Sequence, residues 1–146
     1  MKPPLRPDAP QPQLSDLPVL IETARRAGVH VQLSAPPTLD QVPAGIGMCA
    51  YRIVQESLSN ASRHAPGAAV TVSVDQSAGT VQLRVANGAG VPSPNGRGLT
   101  PSGHRAGHGL TGMRERVTLL GGSLSAGPSE DGGFVVSAVL PLGAAA

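Results

Sequence analysis

Apolar positions along this chain follow two rhythms. Leu17, Leu20, Ile21 and Ala24 recur at helical spacing, with Asp16 or Ser15 available as N-cap and Gly28 as a stop. That pattern predicts a short amphipathic helix. Val29, Val31 and Leu33 then alternate with polar residues until Pro36 and Pro37, which predicts a strand. From about Pro43 to Ala65 the helical rhythm returns, with Ile46, Cys49, Ala50, Ile53, Val54, Leu58 and Ala61 in one continuous stripe. Proline is tolerated in the first turn of such a helix because its missing N–H is not needed there. Pro66 and Gly67 end it.

Alternation resumes at Val70, Val72 and Val74 and again at Val81, Leu83 and Val85, with a turn at Ser77–Gly79 between them, which predicts a β-hairpin. Residues 87–109 are rich in Gly, Pro, Ser and Asn and carry no rhythm. So long a patternless run inside a small domain reads as a functional lid or a disordered segment. Leu110, Met113, Val117 and Leu120 mark a further helix that stops at Gly121–Gly122, and strands at about 123–126 and 134–140 close the chain around a Gly-rich turn. The order helix, strand, helix, hairpin, lid, helix, hairpin predicts a two-layer α/β (α+β) sandwich, one mixed sheet with helices on one face.

Composition narrows the function. The length of 146 residues fits one domain. Residues 1–13 hold five prolines and little that packs, so they read as a tail or linker before a domain over 14–142. One cysteine excludes an intramolecular disulfide and a multi-cysteine zinc site. No apolar run reaches the ~18 residues of a membrane span, and no signal peptide is legible at the N-terminus, so a cytoplasmic location is expected. The net charge is +2 with no dense Lys/Arg cluster, which argues against nucleic-acid binding. Tyr51 and Phe134 are the only aromatic residues, so a core or a purine pocket must be aliphatic.

Two stretches carry chemistry. In the long helix Glu56 and Asn60 are four residues apart, which places them within about 40° of each other and about 6 Å apart along the axis. His64 continues the polar line one turn on, opposite the apolar stripe. A carboxylate, an amide and a cation in one row suit a hydrated Mg²⁺ and a triphosphate, because Mg²⁺ takes oxygen ligands and keeps several waters. The same row also fits a plain solvated helix face. The second stretch is Gly107-His108-Gly109-Leu110-Thr111-Gly112-Met113-Arg114. Its glycines let a backbone approach phosphate at a helix start, though alone they also fit a flexible helix entry. No Walker-type Gly-Lys-Ser/Thr is present.

Together the two stretches resemble a known family. Arg52-Ile-Val-Gln-Glu-Ser-Leu-Ser-Asn-Ala-Ser-Arg-His-Ala65 is similar to the N box of sensor histidine kinases of the nitrate-sensor type. Gly107-His-Gly-Leu-Thr-Gly-Met-Arg-Glu-Arg-Val117 is similar to their second glycine box, and Gly121-Gly-Ser-Leu-Ser followed by Gly132-Gly-Phe and Leu140-Pro matches the end of that domain. The resemblance spans about residues 14–142. It implies the ATPase fold shared by gyrase, the MutL repair protein and histidine kinases, with ATP and Mg²⁺ as cofactors. It further implies that Asn60 ligates Mg²⁺, that Glu56 orients a metal-bound water or acts as a base, and that Arg63 or His64 meets phosphate. Gly107, Gly109 and Gly112 would admit the triphosphate beside His108, and Leu110 and Met113 would pack near the nucleotide.

One departure stands out. The family reads adenine with an Asp in a V-x-D-x-G-x-G segment, and here the segment is Val85-Ala-Asn87-Gly-Ala-Gly90. Strand alternation puts Asn87 in the Asp position, whereas aligning the glycines puts Ala86 there. Alternation favours Asn87, a neutral acceptor in place of a charged one. The implied partners are a separate dimerisation and histidine phosphoacceptor domain and, through it, a response regulator. None of the four histidines sits in an acceptor context and the proline-rich tail is too short for the acceptor hairpin, so either a fragment or an orphan catalytic module, mainly monomeric, is expected. The rivals are an anti-sigma-factor-type serine kinase of the same fold, against which the glycine box argues, and a nucleotide-sensing module that transfers nothing.

Overall fold

The computed structural model describes residues 12–36, 42–77, 79–89 and 103–142, with the backbone alone over 103–109. A 3-10 turn at Leu14–Asp16 leads into α1 (Leu17–Arg26). Then come β1 (His30–Ser34), α2 (Ala44–His64), β2 (Ala69–Ser77), β3 (Thr80–Asn87), α3 (Gly103–Leu119), β4 (Ser123–Pro128) and β5 (Phe134–Pro141).

The five strands form one sheet in the order β1-β2-β3-β5-β4. β1 pairs with β2 in parallel and the other pairs are antiparallel, so the sheet is mixed as expected. Register aligns the apolar positions into rows across the sheet. Leu33, Val72, Val85, Val136 and Ala126 form one row, and Val74, Leu83, Ala138 and Leu124 form the next. Side chains on one strand alternate between faces, so these rows define a single apolar face. The helices cover it: α1 lies against β1, α2 against β2, β3 and β5, and α3 against α2 and β4.

The predicted stripe of α2 is this core. Ile46, Cys49, Ala50, Ile53, Val54, Leu58 and Ala61 are all buried. Burying a side chain such as Ile53 contributes about 1.5–3 kcal/mol. Pro43 caps α2 from an extended conformation (φ −58°, ψ 148°), one residue before the helix starts. Burial pushes the Cys49 thiol up from its ordinary value, and Arg116 pulls it partly back, as suits a core cysteine. α1 ends where Gly28 takes φ +97°, with the Val29 amide donating back to the Ala24 carbonyl. Asp16 precedes α1, but its carboxylate accepts from the Gln13 amide and so fastens the 3-10 turn instead.

One expectation needs correction. Residues 87–109 read as a patternless run with the next helix starting near Leu110, yet α3 begins at Gly103 and β3 runs to Asn87. Gly, His and Ala over Gly103–Gly109 supply no apolar rhythm, so helical backbone there leaves no trace in a hydrophobic pattern. Residues 90–102 of the expected lid, Gly90 among them, lie outside the described residues.

Candidate nucleotide site

α2 carries the polar row on the flank beside its buried stripe, not opposite it as the spacing suggests, because Asn60 is itself buried next to Leu58 and Ala61. Arg63 donates from Nη2 to the Asn60 Oδ1 at 2.9 Å, and the same nitrogen stands 4.0 Å from the Glu56 Oε2. Glu56, Asn60 and Arg63 are thus brought together, whereas the spacing points to Glu56 and Asn60 with His64 continuing the line. The arrangement is a pair of oxygens answering one cation. Arg63 is 60% exposed, so this contact adds little to stability. His64 is the last residue of α2 and is exposed.

Asn60 is the unusual member. It is only 8% exposed, and its Nδ2 is buried with no partner among the described residues. One turn earlier Ser57 is 5% exposed, and its hydroxyl is likewise unpartnered. A buried polar group without a partner costs about 1–3 kcal/mol, so two such groups on one helix flank favour a ligand over a purely structural role. Sequence reading passed over Ser57. A signal was present, since it lies three residues before Asn60 and next to Leu58 in the apolar stripe.

No cluster of three or more His, Cys, Asp or Glu exists among the described residues. A cation at this row must therefore complete its shell with water or ligand oxygens. That fits Mg²⁺, which takes one or two protein oxygens together with phosphates. The Asn60 amide oxygen and the Glu56 carboxylate are the oxygens available to it.

α3 packs directly on α2, so the helices that carry the glycine box and the N-box row are neighbours. Leu110 is buried in the core and Met113 is partly buried against it. Gly112 is exposed, and a Cβ added there would meet nothing within 4 Å. Among the described residues no neighbour therefore demands a glycine at that position. Gly107, His108 and Gly109 lie within the α3 backbone.

Asn87 ends β3 in register with Val70 and Phe134, in the row that also holds Val31. It shares the helix-covered face with Val85, as strand alternation predicted, while Ala86 lies on the opposite face. Its Nδ2 donates to the Gly88 carbonyl at 2.8 Å, which turns the amide oxygen toward other donors.

Comparison with known proteins bears on the family and the fold. Residues 47–144 match the family described as histidine kinase-, DNA gyrase B- and HSP90-like ATPase. Over 75 residues, 51% of the chain, it is 43% identical to the signal transduction histidine-protein kinase/phosphatase UhpB of Salmonella typhimurium, covering 14% of that protein. Over 83% of the chain it is 32% identical to the sensor histidine kinase YxjM of Bacillus subtilis, covering 28% of it. The chain thus spans less than a third of the curated relatives it matches. The histidine kinase domain of the blue-light activated kinase EL346 of Erythrobacter litoralis superimposes with TM-score 0.64 at 21% identity, over 96% of this chain and 66% of that one. Full-length ShkA in complex with AMPPNP superimposes with TM-score 0.61 at 19% identity, over 88% of this chain and 29% of that one. The motifs, the mixed sheet under its helices and these similarities lead to one assignment: the chain belongs to the histidine kinase-, DNA gyrase B- and HSP90-like ATPase family.

Proposed function

We propose that this chain binds Mg-ATP between the polar flank of α2 and the glycine-bearing start of α3. It then donates the γ-phosphate to a histidine on a separate dimerisation and phosphoacceptor domain, which passes it to a response regulator. The observation that carries this reading is the Asn60 side chain, buried with an unpartnered Nδ2 while its Oδ1 already answers a cation. In the proposed complex Asn60 Oδ1 would hold the hydrated metal, Glu56 would orient a metal-bound water or act as a base, and Arg63 or His64 would meet phosphate oxygens. The bound metal supplies charge neutralisation on the phosphates. The residues of the chain then contribute positioning and electrostatics, with no covalent step of their own. Gly107, Gly109 and Gly112 let the phosphates approach the α3 backbone, and Asn87 accepts from the adenine amino group. Consumption of ATP places the reaction on the cytoplasmic side.

Titration calorimetry with and without Mg²⁺ tests binding, and transfer of label from γ-labelled ATP to an added phosphoacceptor domain tests the reaction. A folded chain that gives no heat at millimolar Mg-ATP ends this reading.

A second reading, an ATP-responsive module that transfers nothing, is favoured by one residue. Asn87 is neutral, and its Nδ2 is already tied to Gly88. Charged acceptors bind about twice as strongly as neutral ones, a gain of about 1 kcal/mol or roughly fivefold in affinity. Asn87→Asp is therefore expected to tighten ATP about fivefold. An unchanged or weaker affinity would remove position 87 from base recognition.

A further inference from the structure

The turn between β4 and β5 lies against the strand end that carries Asn87. Asn87 and Phe134 are register partners, so Gly133 meets the step from β3 into the Gly88 loop. A Cβ at Gly133 would stand 2.9 Å from the Asn87 carbonyl carbon and 2.9 Å from the Gly88 Cα, and would overlap the Asn87 carbonyl oxygen. Real side chains do not approach backbone this closely, so only glycine permits the contact.

Neither partner in this contact is free to retreat. The Gly88 amide donates to the Ala69 carbonyl at 3.1 Å, which ties the strand end to β2. Gly133 is held from its other side. Its amide donates to the Ser129 Oγ and to the Asp131 Oδ1, each at 3.1 Å, and its carbonyl accepts from the Ser129 amide at 3.0 Å. The Ser129 hydroxyl also bonds the Asp131 carboxylate. Next to it Gly132 takes φ +88°, and a Cβ there would come within 3.3 Å of the Ala89 Cβ. The Asn87–Gly88 peptide is therefore clamped between the β2 backbone and a turn fastened by two side chains.

We infer that Ser129, Asp131 and Gly133 are positioning residues for base recognition, setting the backbone from which the Asn87 amide meets adenine. None of the three touches the ligand. The inference rests on the proposed function, since it needs Asn87 to read the base.

A matched control exists. A Cβ at Gly122 would stand 3.2 Å from the Val139 carbonyl carbon and 3.2 Å from the Val117 Cγ1, a backbone clash of the same kind. Val139 pairs with Gln82, five residues before Asn87 along β3, so this clash spares the strand end.

The experiment measures ATP and GTP affinity, both with Mg²⁺, and melting temperature in the full chain. The variants are Gly133→Ala, Asp131→Ala and Gly122→Ala. The wild-type chain is expected to prefer ATP. Gly133→Ala should weaken ATP about fivefold to tenfold, the range of one lost hydrogen bond, and leave GTP within about twofold. Asp131→Ala adds no atoms and opens the clamp more gently, so it should move the ATP/GTP ratio in the same direction by about twofold to threefold; it carries the test if Gly133→Ala does not fold. Gly122→Ala should lower the melting temperature and leave the ratio alone.

Equal loss of ATP and GTP in the turn variants, or a ratio shift as large in Gly122→Ala, would reduce the turn to a structural role. A wild-type chain that binds ATP and GTP equally would overturn the inference while leaving the proposed function standing. A wild-type chain that binds neither would overturn both.

Discussion

At the scale of single residues the chain keeps polar groups where a fold on its own would not. Asn60 occupies a buried position on α2 with one of its two amide atoms unanswered. Its contact with Arg63 is exposed and contributes little, whereas the orphaned Nδ2 costs about 1–3 kcal/mol. Asn60→Ala is therefore expected to leave the melting temperature unchanged or raise it, while removing the Mg²⁺-dependent part of ATP affinity. A large drop in melting temperature would return Asn60 to a structural role. Asp131 gives a second residue-scale expectation. The Ser129 hydroxyl first, then the Gly133 amide, hold its carboxyl below the ordinary value of 3.8. A group whose folded pKa is depressed stabilises the fold above the unfolded pKa, and that contribution is lost as pH falls through the folded value. The turn should thus be indifferent to pH between 7 and about 5 and loosen only below about 4. The amide shift of Gly133, followed by NMR against pH, should titrate with a midpoint under 3.8; a midpoint at or above 3.8 would mean that the ionised carboxylate does not hold the turn.

At the scale of elements the least settled segment is the start of α3. Gly103, Gly107, Gly109 and Gly112 all fall within this helix. Each glycine weakens a helix interior by about 0.5–1 kcal/mol relative to alanine. Gly112 separates the reasons for that weakness, because a Cβ there meets nothing within 4 Å among the described residues. Gly112→Ala should raise stability by about 0.5–1 kcal/mol in chemical denaturation and weaken Mg-ATP binding, since the methyl would stand where phosphate approaches. If stability rises and affinity holds, Gly112 lies outside the phosphate path. Legibility in the sequence followed the same physical line. The buried stripe of α2 and the rows Val70, Val72, Val74 and Val81, Leu83, Val85 were readable because burial on one face imposes a period on apolar side chains. The first turns of α3 were not, because Gly, Ala and His carry no such period. Asn87 was placed on the correct face by alternation alone. The buried Ser57 sat in plain view but lacks the charge that made Glu56 and Arg63 conspicuous. The approach of Gly133 to Asn87 was invisible, because it joins residues on two strands whose pairing no local pattern specifies.

At the scale of the whole molecule, the proposed function separates phosphate donor from phosphate acceptor. A histidine that accepts phosphate must present a ring nitrogen in line with the γ-phosphate of a bound nucleotide. His30 lies in β1, and its partner Ala69 belongs to the row that faces away from the helices. The polar row of α2 is on the helix side of that sheet, so His30 has the sheet between it and the site. His64 ends α2 on the same helix as the proposed metal row, one residue after Arg63. In the proposed complex that position lies on the flank that meets phosphate oxygens. His104 and His108 fall within the α3 backbone, the element proposed to hold the triphosphate from its other flank. The 146-residue polypeptide incubated alone with γ-labelled ATP is therefore expected to gain no acid-labile, alkali-stable phosphate. Label should appear on a phosphoacceptor domain once one is added, and Asn60→Ala should abolish that transfer. Self-labelling that persists in His64→Ala and His108→Ala variants would point to His30 or His104. It would then overturn the separation of donor and acceptor on which the proposed function depends.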